Sequence, residues 1–170
     1  MTARNIAATV VFATISVVTV ASAASSSGAR SALDEVRTAT ASFHSVNRAR
    51  AAGYEPFLDC FDSEDGGMGQ HLVNRDLIAD PAVDATSPEA LVYEVRGDRL
   101  KLVGVEYIVP IPEDPTAAAA MRADPPELFG VPLHENTALG VMVLHAWIWR
   151  DNPSGVFLDW NPGVDDCPTS

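Results

Sequence analysis

Cationic side chains are scarce in this chain of 170 residues. Lysine and arginine number 11 against 23 aspartates and glutamates, the formal net charge is -12, and Lys101 is the single lysine. Nucleic-acid binding depends on clustered Lys and Arg side chains that neutralise phosphates. The composition therefore excludes a broad nucleic-acid interface, and we expect no nucleic-acid partner.

Several catalytic motifs are missing as well. The chain has no Gly-x-Ser-x-Gly elbow of a serine hydrolase, and its glycine run at 66–69 lacks the Gly-Lys-Ser/Thr ending of a phosphate-binding loop. The acidic residues around this run do not have the spacing of an EF-hand. What the glycines permit is a close backbone approach just before His71.

The N-terminus predicts a signal peptide. Arg4 supplies a positive charge, residues 6–20 are largely apolar, and Ala-Ser-Ala at 21–23 has the small-x-small pattern of a signal peptidase site. We predict cleavage after Ala23. An uncleaved membrane anchor is the alternative, but Ser and Ala dilute the second half of the apolar run.

These signals predict three segments. They are a signal peptide over 1–23, a flexible Ser-rich spacer over 24–30 and a single globular domain over 31–170. The mature protein is expected to be secreted or periplasmic, with no membrane partner after cleavage. In an oxidising compartment, the only two cysteines, Cys60 and Cys167, predict one disulfide rather than a metal site.

Hydrophobic periodicity predicts one long helix at the start of this domain. The helix begins at Ser31, which forms a capping pattern with Asp34, and runs to about Ala52 before Gly53 stops it. Apolar residues and one threonine recur at helical spacing along one face. His44 lies at the edge of that face.

Strand patterns dominate after residue 88. Alternation over 91–95 and 100–109, joined by a Gly-Asp turn at 97–98, predicts a hairpin in which Glu106 shares a face with Leu100, Leu102 and Ile108. A second hairpin is predicted from 141–149 and 156–160, with His145 at an apolar position of a central strand. Between them, 111–132 is expected to be a long surface excursion, a candidate lid, with a short helix near 117–120.

These elements together predict an α+β fold. In it, the N-terminal helix packs on a mostly antiparallel sheet or partly closed barrel, with irregular acidic loops and one disulfide.

A metal site is the first functional hypothesis. A buried carboxylate or imidazole requires a polar partner. Three such groups on separate elements are predicted to lie in apolar surroundings: Glu106, His145 and His71. His44, on the helix, is predicted to contact the same place. Such groups suit a divalent ion such as Zn, Cu, Mn or Fe. The competing interpretation is a buried His/Glu hydrogen-bond network that rigidifies the core. His134, in a polar segment, ranks lower.

Seven short blocks of the chain also carry a resemblance. They include Gly-Met-Gly-Gln-His at 67–71, Val-Glu-Tyr at 105–107, Leu-His-Ala-Trp-Ile-Trp at 144–149 and Asn-Pro-Ser-Gly at 152–155, with others at 43–46, 52–54 and 88–93. In these the chain resembles a family of uncharacterised secreted bacterial proteins that has no established activity. The resemblance implies secretion and a shared fold.

The family pattern includes matches to the four candidate ligands and to both cysteines. It does not include His134, and the Asp-Asp pair at 165–166 before Cys167 is a spacing not established for the family. The resemblance therefore supports the choice of candidate residues but supplies no substrate.

Three functions remain open from the sequence. The first choice is a secreted domain that binds a divalent metal or a small polar ligand. The second is a metal-dependent enzyme that uses the His/Glu site to activate water or oxygen. The third is a structural or interaction protein in which the histidines only pack.

Overall fold

The computed structural model describes residues 20–80 and 82–168. Its helical start is α1 (Val20–Thr40), a 3-10 turn (Ala41–His44) and α2 (Val46–Ala51). The predicted signal peptide over 1–23 lies largely outside the described residues and stays a prediction. The predicted spacer over 24–30 falls inside α1, although its three serines and one glycine have a lower helix propensity than alanine.

The single helix predicted over 31–52 is interrupted in the middle. The Thr40 hydroxyl donates to the Val36 carbonyl, and Ser45, with an extended backbone, separates the 3-10 turn from α2. Ser and Thr side chains compete for backbone hydrogen bonds and so weaken a helix interior. The predicted end holds, because Gly53 has a φ of +93° and follows α2 directly.

The remaining elements are strands with two short helices between them. In chain order they are β1 (Tyr54–Ser63), β2 (Gly66–Asn74), α3 (Arg75–Ala79), β3 (Ala90–Arg96), β4 (Arg99–Pro110), α4 (Pro115–Ala123), β5 (Glu127–Leu128), β6 (Val131–Pro132), β7 (His134–Asn136) and β8 (Val141–Ala146).

Six strands form one antiparallel sheet in the order β1-β2-β3-β4-β8-β7, and β5 pairs with β6 apart from it. The sheet curls into a half-barrel, and the helical segment over 28–44 packs on one of its faces. Leu33 and Val36 of α1 join the main core there, with Leu91, Tyr107 and other buried residues of the sheet. The predicted α+β fold is confirmed.

A β-bulge changes the side on which Glu106 lies. The β3–β4 hairpin forms as predicted, but its register shifts because Val92 pairs with Gly104 and Tyr93 pairs with Leu102. One extra residue reverses the faces of a strand. Leu102 therefore packs in the helix-side core. The prediction that Glu106 lies on the same face of the strand as Leu102 is corrected.

The last predicted hairpin is wrong in its second half. β8 ends at Ala146, and no strand forms over 156–160. The segment after β8 instead contacts the sheet through single hydrogen bonds, such as those from the Trp149 amide to the Val103 carbonyl of β4 and from the Asn161 amide to the Gly67 carbonyl of β2. Prolines at 153 and 162 cannot donate in a ladder, which limits regular pairing here. β8 also lies next to the edge strand β7 rather than at the centre of the sheet.

The glycine run forms part of β2 and not an irregular loop. Gly69, with a φ of +84°, lies so close to β3 that a Cβ atom would stand 2.5 Å from the Tyr93 carbonyl oxygen. The predicted close backbone approach before His71 is therefore confirmed.

The predicted disulfide joins Cys60 of β1 to Cys167, with Cα atoms 5.7 Å apart. It ties the C-terminal segment to the first hairpin. Within the described part of the chain, no helix is both long enough and apolar enough to cross a membrane.

Candidate metal centre

Three buried polar side chains meet on the sheet face opposite the helices. Glu106 of β4 and His145 of β8 are direct antiparallel partners. His71 lies on β2, two strands away from β4, and the curl of the sheet brings its ring to the other two side chains. The structure thus brings together three of the four candidate ligands, each with less than a tenth of its surface exposed.

The side chains point their donor atoms at one another. Nε2 of His71 lies 3.3 Å from Nε2 of His145 and 3.4 Å from Oε2 of Glu106. Nε2 of His145 lies 3.8 Å from Oε1 of Glu106. One donor atom from each residue can be chosen so that all three lie within 4.8 Å of one another, which means that the group could hold a metal ion.

These separations fit the edges of a coordination tetrahedron. Zinc binds His nitrogen at about 2.0–2.1 Å, so that two ligand atoms at the tetrahedral angle lie roughly 3.3–3.4 Å apart. Two of the three observed separations have this length. The third, 3.8 Å, involves the other Glu106 oxygen, so the carboxylate must turn to place a single oxygen near both rings. Two imidazoles and one carboxylate also occur in non-haem Fe(II) sites.

Burial and charge give the two imidazoles different proton affinities. Burial is the main reason that the pKa of His71 falls to about 4, and the nearby Glu106 carboxylate only partly offsets it. His145 is buried too, but the carboxylates of Glu106 and Asp159 outweigh that effect and raise its pKa. His71 is therefore neutral at pH 7. His145 holds its proton more tightly than an ordinary histidine, and it would have to release that proton in order to bind a metal.

Asp159 supports His145 from behind. Its Oδ1 lies 3.1 Å from Nδ1 of His145, and its Oδ2 lies 3.0 Å from Nε2 of His134. A carboxylate in this place fixes the tautomer with the proton on Nδ1 and leaves the Nε2 lone pair free for a metal. Although burial raises it, the pKa of Asp159 is held below its usual value by the two histidines.

The backbone around Asp159 is held against β8. The Trp147 indole donates to the Leu158 carbonyl at 2.5 Å, and the Asn152 amide donates to the Trp160 carbonyl at 2.9 Å. The residues on both sides of Asp159 are therefore fixed, although the segment has no regular secondary structure.

One candidate ligand lies elsewhere. His44 ends the 3-10 turn on the helix side of the sheet, is exposed, and packs edge-on against Trp149 with ring centroids 4.4 Å apart. The predicted contribution of His44 to the metal site is therefore corrected, because the sheet separates it from the buried group.

A cavity of about 390 Å³ adjoins the centre. His71 and Glu106 form part of its wall, and most of the rest is apolar, including Phe57, Val73 and Ile108. A metal held by these three side chains would have at least one coordination position free, as in catalytic zinc sites. The cavity therefore places space for a small molecule beside two of the candidate ligands.

Two features of the site are not evident in the sequence. Asp159 lies in a segment whose alternation predicts a strand, so that nothing marks it as a histidine partner. His134, which ranked lower, contacts the site only through Asp159. The residues of β1 that line the cavity stand among acidic residues in the sequence. The available sequence signal for this wall is an aromatic residue on each side of Cys60, at positions 57 and 61.

Comparisons of the chain with protein families, with curated proteins and with solved structures found no match. The interpretation of the site consequently rests on its own geometry.

Proposed function

We propose that the mature chain is a secreted protein that holds one divalent transition metal on His71, Glu106 and His145, with zinc as the first choice and Cu, Mn or Fe as alternatives. The observation that carries the proposal is the convergence of the three buried side chains, in which Nε2 of His71 lies 3.3 Å from Nε2 of His145 and 3.4 Å from a Glu106 oxygen, both close to the edge length of a zinc tetrahedron. We also propose that the chain belongs to the family of secreted bacterial proteins that it resembles.

The half-buried carboxylate of Asp159 behind His145 is the second support. Ligating histidines usually donate their other ring N–H to a carboxylate or a carbonyl, and Asp159 occupies that place. His71 does not show the same arrangement, because its buried Nδ1 has no hydrogen-bond partner within the described part of the chain. This support therefore comes from His145 alone.

The deciding experiment is elemental analysis of the mature protein, purified without chelator and without affinity histidines. We expect near-stoichiometric metal in the wild type and its loss in His71→Ala, Glu106→Ala and His145→Ala. His44→Ala is the matched control, because it removes an exposed histidine on the other face of the sheet and should keep the metal.

Circular dichroism of each variant separates loss of the site from loss of the fold. If the wild type holds no metal after addition of Zn, Cu, Mn or Fe, the metal proposal fails and a buried hydrogen-bond network takes its place. If His44→Ala loses metal like the other variants, the assignment of ligands is wrong.

A metal-dependent enzyme is the second candidate function. It is favoured by the cavity that reaches His71 and Glu106 beside a centre with only three protein ligands. A bound zinc ion would supply a water of lowered pKa, while Asp159 and His145 would keep the ligand geometry fixed. Hydrolysis of activated esters or phosphoesters by the loaded wild type, absent in His145→Ala and retained in His44→Ala, would support this function.

Secretion has its own test. Expression of the full chain with its leader, followed by N-terminal sequencing of the extracytoplasmic protein, should give a mature chain that begins at Ala24. Protein that retains residues 1–23 in the membrane fraction would contradict the predicted cleavage.

A further inference from the structure

The cavity beside the metal centre has the form of a binding site in its own right. Its floor consists of Val73, Ile108 and Val143, which form one buried cluster on the sheet face. Aromatic residues from β1 and from the C-terminal segment, Phe57 and Trp160 among them, complete the wall. Its volume lies in the range of pockets that take small organic molecules.

Exposed apolar side chains are concentrated at this cavity. In the described part of the chain, four large hydrophobic residues are well exposed, and three of them, Leu58, Phe61 and Leu139, line the cavity. Leu58 is 52% and Leu139 48% exposed. Exposed apolar surface that gathers around a concave site marks a place where an apolar partner is bound. The occupant should therefore be largely apolar.

The charges at the cavity are arranged along one direction. Glu106 lies at the end shared with the candidate metal centre, and Arg75 is the only lysine or arginine among the described residues of the lining. Arg75 follows His71 by four positions, which is about 13 Å of extended chain. Among the described residues, no acid lies within ion-pair distance of Arg75, although the chain has a large excess of acids.

We propose that this cavity binds a small apolar organic acid. Its hydrocarbon part lies over Val73, Ile108 and Val143, and its carboxylate pairs with Arg75. The Glu106 carboxylate disfavours the opposite orientation in the metal-free protein. A guanidinium pairs with a carboxylate through two parallel hydrogen bonds, which favours an acid over a neutral molecule of the same shape.

The test is calorimetric and NMR titration of the metal-free mature protein with octanoate and with 1-octanol, both below micelle-forming concentrations. We expect octanoate to bind roughly tenfold more tightly than 1-octanol. Across straight-chain acids from hexanoate to decanoate, each added methylene should tighten binding about fourfold.

Two arginine variants make the test specific. Arg75→Gln should remove the preference for octanoate and leave the affinity for 1-octanol unchanged. Arg99→Gln is the matched control, because Arg99 is exposed at the β3–β4 turn, and it should bind both probes like the wild type. Leu139→Asp, a substitution at an exposed position, should weaken both probes.

Each remaining outcome overturns the proposal. Failure of both probes to bind shows that the cavity takes no such ligand, and equal affinity for acid and alcohol shows that Arg75 makes no pair. Binding of octanoate only after zinc is added places the carboxylate on the metal. Because the titration uses metal-free protein, its result is independent of whether the chain binds metal.

Discussion

Replacement of Asp159 by Asn should weaken metal binding without unfolding the protein. Asp159 does not belong to the group of candidate ligands, so its effect on affinity is a direct test of how the site is built. It accepts from Nδ1 of His145 at 3.1 Å and approaches Nε2 of His134 at 3.0 Å. Asn keeps one acceptor oxygen at this position but loses the charge.

The size of the effect follows from what the charge does. The carboxylate fixes the Nδ1–H tautomer of His145 and makes its Nε2 a stronger donor to a metal. Loss of such a partner typically lowers metal affinity by 10- to 100-fold, or about 1.4–2.7 kcal/mol. His134→Ala should cost less, because His134 acts on His145 only through Asp159.

Competition for Zn²⁺ with a chromophoric chelator at pH 7 gives the affinity of each protein. Asp151→Asn is the control, since Asp151 is an exposed acid in the same segment and its replacement should leave the affinity unchanged. Equal zinc affinity of Asp159→Asn and the wild type, with both proteins folded, would refute the role of the carboxylate and with it the tetrahedral arrangement that we infer.

Two further predictions concern stability. Burial raises the pKa of Glu89 from 4.5 to about 7; the folded state therefore binds more protons than the unfolded state between these values, and stability falls as pH rises through 7. Glu89→Gln should stabilise the protein by up to about 3 kcal/mol at pH 8 and by little at pH 4, and a gain of equal size at both pH values in urea unfolding would contradict this. Replacing Cys60 and Cys167 together by Ser opens a loop with a sequence separation of 107 and should lower the free energy of unfolding by roughly 4 kcal/mol. The wild type in reductant should match the double variant. An unchanged midpoint of urea unfolding would contradict the stabilising role of the disulfide.

The predictions that the structure confirms depend on local patterns. The alternation of β3 and β4 around a Gly-Asp turn is enough to define that hairpin, because hydrophobic alternation and turn chemistry act over a few residues. The same alternation marks Glu106 and His145 as polar groups at apolar positions. Their burial in the structure shows why this signal is useful: a strand seldom carries a buried charged group without a partner for it.

What could not be predicted depends on contacts distant in sequence. The bulge in β4 between Leu102 and Gly104 is a feature of the pairing with β3, and it decides which core Leu102 joins. His44 has the periodicity of a residue that faces the sheet, but only the three-dimensional packing shows that the sheet separates it from the site. The residues on either side of Asp159, Leu158 and Trp160, accept hydrogen bonds from Trp147 and Asn152. No pattern in the sequence indicates these contacts.

The buried group of His71, Glu106 and His145 either binds a metal or stabilises the fold. These two interpretations predict opposite changes in the free energy of unfolding when apolar residues replace the whole group. Three polar residues in an apolar wall lose their hydration, and a network repays that loss only when every group has a partner. Among the residues that the structure describes, none is a hydrogen-bond partner of Nδ1 of His71. The metal-free group should therefore cost stability.

The triple variant His71→Leu, Glu106→Leu, His145→Leu tests that sign. Replacement of a whole buried polar group by apolar residues of similar volume is often neutral or stabilising by roughly 1–4 kcal/mol, whereas loss of one partner alone costs about 3–5 kcal/mol. In urea unfolding with chelator present, the triple variant should be at least as stable as the wild type and Glu106→Leu clearly less stable. With zinc added, only the wild type should gain stability, because a ligand bound by the folded state alone shifts the unfolding equilibrium. A triple variant as unstable as the single one would mean that hydrogen bonds within the group hold the sheet together, and the group would then be part of the core and not a site.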